Sequence, residues 1–381
     1  MARKTRSTDV LVTGSDPSAA AVAAILAREG ASVTLVPPAE PADPHDRLLA
    51  ISPRTFDLDP LYKSIKSNLH GTLAYGLRFV GASAGDGATY QSRAGLACVV
   101  GRGALRKRLS EKARAEGVTV VEGAAVTVSA AGDDTGVHGS IEGREFTAKL
   151  MLLADEPDDE ARRALGLPGP WEPGVVKSLY HATLKPGRRY DRESRPAVSM
   201  SLDFGPKDTW AWLWPGDGEV TVAVLPNATG TGTAGDTPTA AAAMAKWLAA
   251  LATHGVHVDG FNPADLCESR LPLAGALERD VVGKRSLLLG PAGGFCTGFA
   301  EEAYPSLWSA VIAAQAARQA LKGGNVQDAL QGYRQSWGAT LGDYLRGPQS
   351  NLRLLLPLAY RNPTMLEKLA GAILLGESLV R

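Results

Sequence analysis

The stretch "VLVTGSDPSAAAVAAILAREGASVTLV", residues 10–36, decides the fold. "DVLVTG" (9–14) is an apolar, β-branched run halted by a glycine, the pattern of a short buried strand. "PSAAAVAAILAREG" (17–30) follows as a helix, with Pro17 suited to its first turn and Gly30 to its C-terminal end. "ASVTLV" (31–36) then reads as a second, parallel strand. A β-α-β unit of about thirty residues aims a helix N-terminus, with its unpaired amides, at the position of a diphosphate. Gly14 is the first glycine of the fingerprint expected there. The second and third positions are Asp16 and Ala19.

Beyond this unit, the chain has 381 residues, 45% of them hydrophobic, enough to bury a substantial core in two lobes. Forty basic residues balance forty acidic ones, which gives no electrostatic footprint for nucleic acid. Cys98, Cys267 and Cys296 are scattered, with neither a disulfide framework nor metal-ligand spacing. His45, His70, His138, His181, His254 and His257 also lack ligand spacing, so no metal is expected. No apolar h-region follows the basic start "MARKTR", and the expected location is the cytoplasm.

"GRGALRKRLSEKARAEG" (101–117) is an amphipathic helix, "VTVVEG" (118–123) a strand, and 139–155 a hairpin arm ending in a buried strand. The runs between 174 and 227 predict a mostly antiparallel sheet. "NATGTGTAGDTPT" (227–239) is a connector, and the last sixty residues are helical. The expected class is therefore α/β: a Rossmann-type domain (1–165 and 276–325), an antiparallel-sheet substrate domain (166–275) and a C-terminal helical region (326–381).

The order of motifs resembles the FAD-dependent oxidoreductases of the p-hydroxybenzoate hydroxylase type, especially their geranylgeranyl-reductase-like branch. Gly14 and Pro17 match that family's first turn, G-x-G-P-x-G. "LAISPRTFDL" (49–58) is similar to its S-P-R segment, and "VVGRGALRKRL" (99–109) to a helix whose arginine, here Arg102, lies near the cofactor. "LLADEPDDEARRALGL" (152–167) resembles its A-D-G motif, with Asp155 kept. "LLLGPAGGFCTGFAEEAYPSLWSAVIAA" (287–314) resembles its G-D-A-A-G-F…G-E-G-I-Y-P motif, with Gly290 and Gly293 kept. The resemblance implies a Rossmann-type FAD-binding fold, with Gly14, Pro17, Arg102, Asp155, Gly290 and Gly293 around the flavin nucleotide.

The departures fall on the same contacts. Asp16 sets a carboxylate against two phosphates, a repulsion on the order of one to several kcal/mol in a partly dry site. The acidic ribose ligand is replaced by Pro37, with Glu40 a substitute from another loop position. Glu156, Pro291, Ala300 and Glu302 replace the other contact residues. The expectation is that no cofactor is bound, FAD being the ligand if the site still works.

"WAWLWP" (210–215) places Trp210, Trp212 and Trp214 on one face of a strand, as a packed core or as the wall of a lipophilic substrate cavity. The spelling also resembles flavin-dependent halogenases, though no matching catalytic lysine is found. Glu301 and Glu302, beside Tyr304, are candidate acid-base residues at the mouth between the lobes; the helix dipole alone also explains them as solvated charges. Cys296 has no visible base and is a weak nucleophile candidate. The acidic run Asp158–Glu160 suits a helix start. The apolar tail 351–381 is either a helical pair packed on the body, a greasy lid, or a peripheral membrane contact.

Three functions follow. The first is a flavin-fold protein without FAD that binds a lipophilic isoprenoid- or polyketide-like substrate in an inter-domain cavity, or transforms it without redox chemistry, by cyclisation or isomerisation. The second is an FAD-dependent oxidoreductase with an atypical site, whether reductase, monooxygenase or halogenase. The third is a non-catalytic partner subunit of an active homologue.

Overall fold

The computed structural model describes residues 6–39, 46–81, 87–132, 136–172, 174–187, 195–201, 209–226, 237–346 and 360–377. Glu40 and His45 lie outside them, as do most of the 227–239 connector and residues 351–359 and 378–381 of the tail.

The opening β-α-β unit forms as its sequence predicts. The Arg6–Thr13 strand pairs in parallel with Val33–Val36 on one side and Arg144–Leu153 on the other, and Ser286–Leu288 extends the parallel run. Val10, Leu11 and Val12 are fully buried, which explains an apolar run without alternation. Helix α1 (Pro17–Arg28) is buried from Pro17 to Leu26. Its alanines let it sit close to α3 (Arg102–Ala115) and α6 (Ala303–Leu321), whose own buried residues include Ala113, Ala310, Ala313 and Ala317. Between these come the short α2 (Pro60–Lys66) and, after the long Arg144–Leu153 strand, α4 (Asp159–Leu165). Asp158 caps α4 by accepting from the Ala161 amide at 2.8 Å, the role its position suggests. The strand expected over 118–123 shrinks to Thr119–Val120 at the sheet edge.

The second sheet runs Val258–Asp259, Val176–Pro186, Val220–Leu225, Trp210–Pro215, Ala197–Ser201, Gly76–Val80, Gly87–Gln91, with Cys267–Pro272 alongside Val176–Pro186. It is antiparallel except where Ala197–Ser201 meets Gly76–Val80. Gly76–Val80 and Gly87–Gln91 thus pair in the second sheet, although they were expected with the first lobe. One face packs on α5 (Thr237–Thr253) through Met244, Trp247 and Leu251. The other carries the three tryptophans and turns toward the first lobe.

The C-terminal helices divide between the lobes. Helix α7 (Val326–Arg346) adds Tyr333, Trp337 and Leu341 to the first core. Helix α8 (Pro363–Ala370) and the wider turn Gly371–Leu375 join the tryptophan cluster instead. A third, small sheet of Leu48–Ile51, Ala97–Gly101 and Thr72–Ala74 bridges the lobes.

Candidate functional site

Gly14 makes the turn from strand to α1 with φ +128°, and a methyl group on it would lie 2.8 Å from the Asp155 amide nitrogen. The Ser15 amide donates to Asp155 Oδ2 at 2.7 Å. Burial raises the Asp155 pKa, and this bond opposes the rise. One residue on, Asp16 is the N-cap of α1. Its Oδ1 accepts from the Ser18 amide at 2.9 Å, the Ser18 hydroxyl at 2.5 Å and the Ser306 hydroxyl of α6 at 2.7 Å. Its Oδ2 faces Arg102 Nη2 at 3.0 Å.

A chain of buried charge continues from there. Arg102 Nε stands 3.3 Å from Glu302 Oε1, and Arg47 Nη2 stands 2.8 Å from Glu302 Oε2. The four residues alternate in sign, sum to zero, and are each less than 7% exposed. Asp16 Oδ1, Ser18 Oγ and Ser306 Oγ crowd Gly290: a methyl group there would meet them at 2.8, 2.5 and 3.0 Å. Between the start of α1 and the Gly290–Gly293 turn the space is filled with protein atoms. A diphosphate does not fit this arrangement.

Glu156 is balanced in the same manner. Arg162 and Arg279 reach its carboxylate at 2.7 and 2.8 Å, while Arg279 also donates to the Ala292 carbonyl and stacks on Trp171. Beside it, at the ends of the parallel strands, a cleft of about 350 Å³ remains open between Thr13, Gly14, Val36, Pro38 and Asp155.

On the other side of Glu302 lies a small apolar cavity of about 30 Å³, lined by Trp212, Trp214, Val198, Met200, Ile373 and Leu374 among others. The Trp212 and Trp214 rings are parallel within 4°, with centroids 6.0 Å apart. Trp210 is not among the lining residues and stacks on Phe299 at 5.7 Å. Arg47, Glu301 and Glu302 form its polar end. Glu301 Oε1 accepts from the Tyr304 amide and Oε2 from the Tyr344 hydroxyl, both at 2.9 Å. Burial pushes its pKa up to about 7 against these two bonds. Burial likewise pushes Tyr304 to about 12 and lifts the Cys296 thiol well above its usual value, so Cys296 is no thiolate nucleophile at neutral pH.

The sequence-derived candidates therefore fall into three places. Pro17, Arg102, Gly290 and Gly293 surround the filled space. Gly14 and Asp155 border the open cleft. Trp212, Trp214, Glu301 and Glu302 border the cavity, with Tyr304 behind Glu301 and Trp210 displaced toward Phe299. Glu302 is not the solvated helix-start charge that the dipole alone predicts; it is 4% exposed between two guanidinium groups. Arg47, Arg279, Tyr344, Ile373 and Leu374 carry no motif in the sequence. The one available signal was the excess of acidic substitutions, each of which demands a nearby base. Among the described residues no cluster fit to hold a metal is found, and no helix is long and apolar enough to cross a membrane.

A parallel sheet whose strand ends open onto a crevice, joined to an antiparallel sheet over an inter-lobe cavity, defines a flavoprotein-type α/β architecture. Residues 7–180 match the family model described as FAD binding domain. Among solved structures, a geranylgeranyl bacteriochlorophyll reductase-like protein from Thermoplasma acidophilum aligns with TM-score 0.72 and 15% identity, over 96% of this chain and 88% of that one. The FAD-dependent halogenase of myxobacterial chondrochloren formation aligns with TM-score 0.67 and 16% identity, over 89% and 81%. PqsL of Pseudomonas aeruginosa, described as a probable FAD-dependent monooxygenase, aligns with TM-score 0.64 and 16% identity, over 97% of both chains. No curated protein matches by sequence. Residues 7–180 thus resemble an FAD binding domain by sequence, and the solved structures share the fold of the chain.

Proposed function

We propose that this protein keeps the flavoprotein fold without FAD and uses the cavity beside Glu302 to bind a lipophilic, isoprenoid- or polyketide-like molecule on which Glu301 moves a proton. The observation that supports the loss of FAD is the buried chain Asp16–Arg102–Glu302–Arg47. It caps α1 through the Ser18 amide and gives both arginines carboxylate partners within the protein, in the place a phosphate would take.

The chemistry follows from Glu301. A carboxyl group with a pKa near 7 donates and accepts protons with similar ease at neutral pH. In an isomerisation it takes a proton from carbon beside a carbonyl and returns it to another carbon of the same molecule. No electrons are exchanged and the group ends as it began. Tyr344 holds Oε2, and the tryptophan walls exclude water and supply flat apolar contact.

The FAD-dependent reading is favoured by one observation, the family match together with the open cleft bounded by Gly14 and Asp155. Colour separates the two. Protein purified from cells supplied with riboflavin is expected to be colourless and to release no flavin on denaturation. A yellow protein carrying near-stoichiometric FAD would return the oxidoreductase reading to first place. Co-purification of a homologous flavoprotein would favour the partner-subunit reading.

A further inference from the structure

We infer that the turn Gly371–Leu375, carried by α8, is a displaceable plug that holds the ligand's place in the tryptophan-walled cavity. The inference deepens the proposed function and rests on it for the ligand; the movement stands on the packing alone.

The first ground is volume. The space left in the cavity, about 30 Å³, takes about one water molecule and no organic ligand. Its lining is apolar apart from Arg47, Glu301 and Glu302, and two of the lining side chains, Ile373 and Leu374, come from the C-terminal segment, so their withdrawal would enlarge it. The second ground is how the plug is held. Leu366, Leu369, Ala370, Ile373 and Leu374 are buried in the same cluster as the tryptophans. Several polar ties of the segment lie at the surface, among them Tyr90 to Glu367 at 3.0 Å, Arg54 to the Gly376 carbonyl at 3.3 Å, and Arg54 to Glu377 at 3.7 Å. Such ties exchange readily for water.

Local geometry is the third ground. The wide, π-type turn places two consecutive branched side chains at the cavity, and Gly376, at φ +69°, ends it. Turns of this type inside helices recur at functional sites. Ile373 and Leu374 each present a branched four-carbon group, the shape of an isoprene unit. A prenyl chain replaces them contact for contact, so the exchange keeps the chamber dry and apolar throughout. A branched prenyl chain is therefore the probe that tests the plug.

The test uses the full-length protein, amide hydrogen exchange and geranylgeraniol as probe, with binding read by tryptophan fluorescence. Without ligand, amides 363–375 should exchange in a local opening, at least about tenfold faster than those of α6. Geranylgeraniol should quench saturably and deprotect 363–375 further while leaving α6 unchanged. Arg54→Ala, which loosens the closed form, should tighten binding about two- to fivefold by raising the open fraction. Ile373→Trp, which overfills the chamber, should weaken it.

Exchange of 363–375 only through global unfolding overturns the plug. So does saturable binding that leaves those amides as protected as before. Local opening without any binding of geranylgeraniol strikes elsewhere: it removes the lipophilic ligand and the proposed function together.

Discussion

Glu301 and Glu302 are adjacent in sequence and stand in opposite surroundings. Glu302, at the polar end of the cavity, lies between two guanidinium groups. Glu301 turns to the apolar cavity, where its polar partners are the Tyr304 amide and the Tyr344 hydroxyl, both neutral. The first arrangement fixes a charge and makes it part of the framework. The second leaves a carboxyl group whose proton is loosely decided. Two neighbouring groups of one chemical type thus divide into structure and chemistry by what each one faces.

The largest effect is expected on the framework side. Glu302→Ala removes a carboxylate partner from two buried arginines, and loss of one member of a buried pair costs about 3–5 kcal/mol. Urea unfolding should show that loss, and Asp16→Gly should also lower the melting temperature by removing the α1 cap and the partner of Arg102. If Asp16→Gly leaves stability unchanged or improves it, the carboxylate is not filling a vacated site.

The cavity side predicts a pH dependence. The folded pKa of Glu301, about 7, lies above the ordinary 4.5, so the native state keeps a proton that the unfolded chain has released. Its contribution to stability is full below about pH 4.5 and is lost as pH rises toward 7, on the order of 1–3 kcal/mol in total. Glu301→Gln should flatten that slope in chemical denaturation across the interval. A slope equal to that of the unaltered protein would mean that Glu301 is ionised in the fold throughout.

Trp212→Ala should weaken geranylgeraniol binding by its buried area plus ring packing of about 0.5–1.5 kcal/mol. Trp210, not itself a lining residue and stacked behind the lining residue Phe299, should affect folding more than binding. Equal losses of affinity at both positions would erase the distinction drawn between wall and core.

The smallest effect concerns Ala300, which holds φ +60° in the turn leading into the two glutamates. A side chain in that conformation costs roughly 1–2 kcal/mol, partly offset in the unfolded chain, so Ala300→Gly should stabilise by about 0.5–1 kcal/mol. A lower melting temperature in that variant would show that the methyl group is needed where it lies.

The fold was legible because it is written locally. Residues 10–36 carry strand, cap, helix and strand in one run, and their periodicity needs no distant information. Even the loss of the third fingerprint glycine is readable once α1 is seen to meet α6 alanine to alanine. The site was half legible. The positions where acidic residues had replaced neutral ones were plain, and so was the shared face of the tryptophans. Arg47 as partner of Glu302 was not, since no spacing rule links residues so far apart in the chain. Nor could the sequence show that the tail, expected as a packed pair, lid or membrane contact, inserts Ile373 and Leu374 beside Trp212 and Trp214.

The buried chain of charge also sets a chronology. Asp16, Arg47 and Arg102 leave the ribosome early, but Glu302, which completes their neutralisation, comes about 200 residues after Arg102, on the order of 10–40 s later at ordinary rates of synthesis. Until then the N-terminal half carries two arginines for one aspartate at what will become its interior. The nascent first lobe therefore waits, open and hydrated around α1, for the far end of its own message.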